Sequence, residues 1–256
     1  MSELPIGIFD SGIGGLTILN SISQVLPKEN IIYFSDNINS PYGEKSNEKI
    51  EKICYDNSKF LIQKKCKLIV VACNTATTNC IKKLRFDFKV PFVGVEPAIK
   101  PASLKTKSGK IGILATKGTL KSKLFSITSN KHTNDISVIE ENADELVKLI
   151  ESGIMEGEKL NSVLKKHLNP MIEMGIDQLV LGCTHFPLVI KEIKKILPKG
   201  INVLESSKAV AIQTKAVIEK FNFINQLGSG KKVFYCNGST KTLNNILNHK
   251  FEIIKL

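Results

Sequence analysis

The chain has 256 residues, 42% of them hydrophobic, and a formal charge of +12. This supplies one large core or two modest ones, and no apolar run approaches the length of a bilayer span. Arg85 is the only arginine among 36 basic residues, and the lysines are scattered among Ile and Asn. The charge therefore reads as a solvated surface rather than a nucleic-acid groove, where arginine's planar fork is favoured.

The first residues, Met1 to Pro5, enter a strand directly and carry neither the basic nor the apolar region of a signal peptide, so a cytoplasmic location is expected. Six cysteines with no Cys-x-x-Cys pair read as free thiols of a reducing compartment, not a disulfide scaffold or zinc ribbon. Four of them, Cys54, Cys66, Cys80 and Cys236, are expected to be small buried apolar groups.

Short apolar runs alternate with helical periodicities along the chain, the pattern of an α/β protein with mostly parallel sheets flanked by helices. Residues 6–9 read as a strand, followed by a helix carrying Leu16, Leu19, Ile22 and Val25. A second strand covers 31–34, and Ile50, Ile53, Cys54 and Phe60 mark a helix beginning near Ser46. Residues 68–72 form a third strand, with a helix around 77–84 after Cys73, and 92–95 a fourth. Residues 97–110 hold two prolines, four lysines and a glycine, and read as a domain crossing. The pattern restarts at 110–115, with helices near 119–129 and 144–151 and a longer one through Leu160, Leu164, Leu168 and Ile172. Strands at 178–182 and 202–204 precede a helix from 207 to about 221, a Gly-Ser-Gly turn at 228–230, and a last strand at 233–235. The expected layout is two similar domains, 1–97 with 208–256 and 98–207, with the active site in the cleft between them.

An internal repeat supports that layout. Ile6-Gly7-Ile8-Phe9 and Ile111-Gly112-Ile113-Leu114 are offset by 105 residues, and Cys73 and Cys183 by 110. Each cysteine ends an apolar run and opens a polar turn, Asn74-Thr75 in one case and Thr184-His185 in the other. Facing halves would present one thiol from each side, suited to removing a proton from one face of a carbon and returning one to the other. A helix N-terminus favours a thiolate and can depress a cysteine's pKa. Asn74, Thr75 and Thr184 supply donors for a substrate carboxylate, and His185 could carry the proton of Cys183.

The turn Asp10-Ser11-Gly12-Ile13-Gly14-Gly15 joins a strand to a helix, and its glycines would let backbone N–H groups approach a ligand. A dinucleotide fingerprint is the rival reading, with Asp36 placed as the ribose-binding acid. The third glycine position holds Thr17, however, and an Asp within the loop would repel a pyrophosphate. Asp10 and Ser11 suit a substrate ammonium instead, or simple helix capping. Ser40-Pro41-Tyr42-Gly43 is a turn whose amides could contact a small anion. Zinc on Cys73, Cys183 and His185 lacks a fourth ligand, so no metal is expected. Cys236-Asn237-Gly238-Ser239 has no counterpart in the repeat and reads as a decoy.

Together, Asp10-Ser11-Gly12-Ile13-Gly14-Gly15, Pro41-Tyr42-Gly43, Cys73-Asn74-Thr75-Ala76-Thr77 and Gly182-Cys183-Thr184-His185-Phe186-Pro187 resemble, in order and spacing, the bacterial glutamate racemases, which are cofactor-independent. The resemblance implies two α/β domains, no cofactor, glutamate as substrate, and D-glutamate supply to peptidoglycan. It implies that Cys73 takes the α-proton of D-glutamate while Cys183 protonates the opposite face. It makes Asp10 the acid beside Cys73, His185 the partner of Cys183, and Glu151 the assisting glutamate. Asp10, Ser11, Tyr42, Gly43, Asn74, Thr75, Thr119, Thr184 and His185 become substrate contacts. The family commonly forms homodimers, so a homodimer is expected. This chain departs from the family pattern at Asn39, where arginine is common, at Asn142-Ala143-Asp144-Glu145, which replaces a Cys-Pro-rich lead, and at Glu205, where Asp is common. Aspartate racemase is the nearest alternative, though Thr77 and His185 stand where it carries His and an acid. A nucleotide-dependent oxidoreductase and a non-catalytic amino-acid-binding module are the rivals of other classes.

Overall fold

A computed structural model describes all residues, 1–256. Ten strands, all parallel, form two sheets: β1 (Ile6–Asp10), β2 (Ile31–Ser35), β3 (Leu68–Val71), β4 (Phe92–Gly94), β5 (Lys110–Ala115), β6 (Ser137–Asn142), β7 (Gln178–Gly182), β8 (Asn202–Leu204), β9 (Lys232–Cys236) and β10 (Ile253–Lys255). The first sheet runs β10-β9-β2-β1-β3-β4 and the second β6-β5-β7-β8. The order β2-β1-β3-β4 thus repeats as β6-β5-β7-β8, which is the structural form of the repeat seen in the sequence. In each copy the glycine-bearing run is central: Phe9 pairs with Phe34 and Val71, and Leu114 with Glu141 and Leu181.

These strands form because their apolar runs are covered on both faces by helices, as parallel sheets require. β1, β2, β3 and β7 are buried at every residue. The largest apolar cluster joins the two halves, running from Ile18, Leu19 and Ile22 to Leu146, Ile150 and Phe186. A second fills the far face of the first sheet, around Phe9, Ile50, Cys54 and Val71. All six cysteines are free and buried.

At the base of the first sheet, opposite the cysteine ends of the strands, Lys67 and Glu29 form a fully buried ion pair. The Lys67 ammonium also donates to the Ser2 and Phe223 carbonyls, and the Asn225 N–H donates to Glu29 at 2.7 Å. No helix is long and apolar enough to cross a membrane.

The crossing at 97–110 contains a helix, Ile99–Lys105, which its prolines and lysines had concealed. β6 also lies outside the sequence expectation, and the strand at 233–235 is not the last, since β10 follows and pairs with β9. The expected helix near 119–129 is two helices, Lys117–Leu120 and Lys123–His132, each capped by its own Thr or Ser.

Candidate active site

Cys73 and Cys183 follow the equivalent strands β3 and β7, so the repeated strand order carries both thiols to the same end of the molecule. They are 6% and 7% exposed, and close enough that charge on Cys183 adds to the upward push on the Cys73 thiol. The gap beside Cys183, lined by residues including Thr17, Asn74, Thr184 and Ser207, holds only about 10 Å³.

The two sulfurs have different surroundings. Cys73 lies 3.8 Å from the Ser11 hydroxyl and caps the helix Asn74–Asp87. Burial, then the neighbouring Asp10 carboxylate, pushes its pKa up, and the Ala76 N–H offsets this only in part. The expectation of a depressed pKa at this helix start is therefore corrected: desolvation outweighs the helix end. Cys183 lies 3.6 Å from His185 Nδ1. His185 Nε2 in turn meets Glu151 Oε1 at 2.5 Å. Burial pulls the His185 pKa down, but the bonds to Cys183 and Glu151 outweigh it and hold the value well above the usual 6.5.

The glycine turn has a role that the sequence reading assigned to a ligand. Its N–H groups are spent on protein carboxylates: Gly12 and Gly15 donate to Asp10 Oδ2 at 3.0 and 3.1 Å, and Ile13 donates to Glu151 Oε1 at 2.8 Å. A side chain at Gly12 would sit 1.8 Å from Glu151 Oε1, and one at Gly14 would sit 2.6 Å from His185 Nδ1. These glycines make room for the carboxylate and imidazole of the other half. Asp10 is fully buried and accepts from the Thr184 hydroxyl at 3.3 Å. Its pKa is raised by burial, against the pull of His185 and with a further push from Glu151.

Asp36 is not a ribose acid. It is fully buried and accepts from Tyr42 Oη at 2.5 Å, from Asn39 at 2.8 Å, from Asn57 at 3.2 Å and from Asn237 at 2.5 Å. The Tyr42 side chain is consequently a prop for the turn, held at Asp36 and Asn57, and a substrate would meet that residue only through its backbone. Gly43 packs beneath Asp144 and Thr116. Thr75, Thr116 and Thr119 form a triangle of hydroxyls 2.8 to 3.2 Å apart that links the two halves. Asn74 donates to the Val95 carbonyl.

The bonds join the candidate residues in separate groups: Cys183, His185 and Glu151; Asp10 and Thr184; Cys73 and Ser11; and Thr75 with Thr119. Thr116, which bonds Thr75 and Thr119, and Asn37 and Thr242, which bond Glu151, went unmarked in the sequence. Asn37 Nδ2 donates to Glu151 Oε2 at 3.1 Å, and the Thr242 hydroxyl donates to the Glu151 carbonyl at 2.8 Å. Thr116 could have been read as a helix cap; the other two carried no local signal. No group of three or more His, Cys, Asp or Glu side chains is arranged to hold a metal ion.

The geometry finds close counterparts among known proteins. The glutamate racemase of Clostridium novyi (strain NT) is 38% identical over 257 residues, covering 100% of this chain and 96% of that protein. A crystal structure of glutamate racemase from Francisella tularensis in complex with D-glutamate superposes with a TM-score of 0.86, at 28% identity, over 100% of this chain and 98% of that one. The Escherichia coli enzyme in complex with L-glutamate and the activator UDP-MurNAc-Ala gives a TM-score of 0.87, at 34% identity, over 98% and 97% of the two chains. The family model described as Asp/Glu/Hydantoin racemase matches residues 6–214, and the chain belongs to that family of racemases.

Proposed function

We propose that this protein interconverts L- and D-glutamate, in the cytoplasm and as a homodimer, and so supplies D-glutamate for peptidoglycan. The observation that carries the reading is the pair of buried cysteines at equivalent strand ends, one beside Ser11 and Asp10 and the other beside His185 and Glu151. The functional division is residues 1–97 with 208–256 against 98–207, with the substrate between.

With D-glutamate bound, the Cys73 thiolate accepts the α-proton, and the electron pair stays on carbon, delocalised into the α-carboxylate. The Cys183 thiol then donates its proton to the opposite face, giving L-glutamate and leaving Cys183 as thiolate. The reverse direction exchanges the roles. No electrons are transferred, so two proton-carrying groups are sufficient. The substrate ammonium placed at Asp10 and Ser11 would offset the carboxylate that pushes the Cys73 pKa up, and would favour the thiolate when it is needed. His185, held above its usual pKa, stabilises the Cys183 thiolate and carries its proton. The threonine triangle and the Gly43 backbone suit the side-chain carboxylate.

The test is incubation with L-glutamate in heavy water without pyridoxal phosphate or added metal. Solvent deuterium should enter the α-carbon while optical rotation falls to zero. Retention of optical activity over many hours with active-site thiols reduced would overturn the proposal.

A further inference from the structure

The family match ends at residue 214, yet the segment beyond it reaches the catalytic constellation. The turn after β9 binds the loop after β2 at three points. Asn237 Nδ2 donates to Asp36 at 2.5 Å, Asn237 Oδ1 accepts from the Ile38 N–H at 3.1 Å, and the Ser239 N–H donates to Asn37 Oδ1 at 3.0 Å. That last bond fixes which way the Asn37 amide faces: its oxygen is committed to Ser239, so its nitrogen is left to donate to Glu151 Oε2 at 3.1 Å. Thr242, just beyond the turn, donates to the Glu151 carbonyl at 2.8 Å. Glu151 lies on a helix of the other half, Asp144–Glu151, and its remaining oxygen holds His185.

We infer that Asn37, oriented by the C-terminal turn Cys236 to Ser239, is a positioning residue for the Cys183 half of the reaction. A continuous run of bonds leads from Ser239 through Asn37, Glu151 and His185 to Cys183. A carboxylate held at both oxygens cannot rotate, and a fixed carboxylate fixes the tautomer and ring plane of its histidine partner. On the Cys73 side the fixed carboxylate is Asp10, held by Gly12, Gly15 and Thr184, and no bond runs to it from Asn37 or the C-terminal turn. Loss of Asn37's donor would therefore act first on the His185–Cys183 side, and reach Cys73 only indirectly through the Ile13 N–H that Glu151 also holds. The inference rests on the two-thiol racemase reading above.

The experiment uses the full-length protein and the variants Asn37→Asp and Thr242→Val. Asn37→Asp keeps the size and the acceptor for Ser239 but replaces the donor to Glu151 with a like charge; Thr242→Val removes only a hydroxyl. Because enantiomers are equal in free energy, kcat/KM must fall equally in both directions, by about tenfold for Asn37→Asp, a fraction of what a general acid–base group contributes. The isotope effects separate the sides. The primary effect on α-deuterated L-glutamate should rise in Asn37→Asp, since removal by Cys183 becomes more rate-limiting, while that on α-deuterated D-glutamate should fall. Thr242→Val should move both in the same senses by less. Equal changes in the two isotope effects, or wild-type kinetics in both variants, would overturn the inference. Failure of the wild-type protein to racemise glutamate would instead remove the reading beneath it.

Discussion

The two cysteines occupy equivalent places in a repeated strand order, yet their settings differ in kind. Cys73 has a hydroxyl and a buried carboxylate for neighbours, and both burial and charge favour the neutral thiol. Cys183 has an imidazole that is itself held by a carboxylate. A two-base reaction needs one sulfur with its proton and one without at the start of each turnover. The repeat supplies opposed positions, and the neighbours supply unlike partners for the proton: a hydroxyl and a carboxylate at Cys73, an imidazole at Cys183.

Removing either sulfur is the harshest way to break the comparison. Cys73→Ala and Cys183→Ala should each lower kcat on the order of 10⁴-fold or more, measured by polarimetry, and full activity in either would remove that sulfur from the mechanism. Gly14→Ala attacks chiefly the Cys183 side, although its methyl would also sit 2.8 Å from the Thr184 hydroxyl. Its methyl would sit 2.6 Å from His185 Nδ1 and 2.8 Å from the His185 backbone nitrogen, so the imidazole must move; kcat should fall about a hundredfold with the fold retained.

Stability against pH separates Asp10 from His185. The raised His185 pKa means that its charged form stabilises the fold, fully below pH 6.5, with the contribution lost as pH rises through the higher folded value. His185→Asn should therefore destabilise most in acid, with the deficit shrinking as pH rises. The raised Asp10 pKa means that its charge costs stability once pH climbs above the usual 3.8 and through the folded value. Asp10→Asn should therefore raise Tm at neutral pH, a gain that vanishes below pH 3.8. Parallel profiles for the two variants would contradict the assigned environments. The smallest effect belongs to Cys66, which packs against Gly7 away from the site. Cys66→Ala should cost about 1 kcal/mol by denaturation and leave racemisation unchanged.

The buried strands and both thiols were legible because periodicity and repetition are properties of the sequence itself. β6 was not, since Ser137–Asn142 carries two glutamates and is exposed or half-buried throughout; its place follows from pairing with β5. β10 is a three-residue edge strand with no apolar run long enough to mark it. The cysteine motifs and the His185 partner were readable from local spacing. The placing of Glu151, Asn37 and Thr242 was not, because Glu151 meets Ile13 across 138 positions, and Asn37 and Thr242 meet Glu151 across 114 and 91, and sequence distance carries no record of that meeting. The glycine turn was read correctly as a place of close approach, but what approaches is the protein's own Glu151 and His185.

The Lys67–Glu29 pair has a bearing on chemistry performed at the opposite end of the sheet. It grips Ser2, Phe223 and Asn225, and so anchors the returning tail just before that tail climbs β9 toward Glu151. Leaving one partner without the other would strand a lone ion in the interior, at roughly 3–5 kcal/mol, and would free the tail at its root. A lesion at this distant rivet would thus be felt as slackness in the carboxylate that steadies the imidazole, and an enzyme could lose its timing without losing a single group that touches substrate.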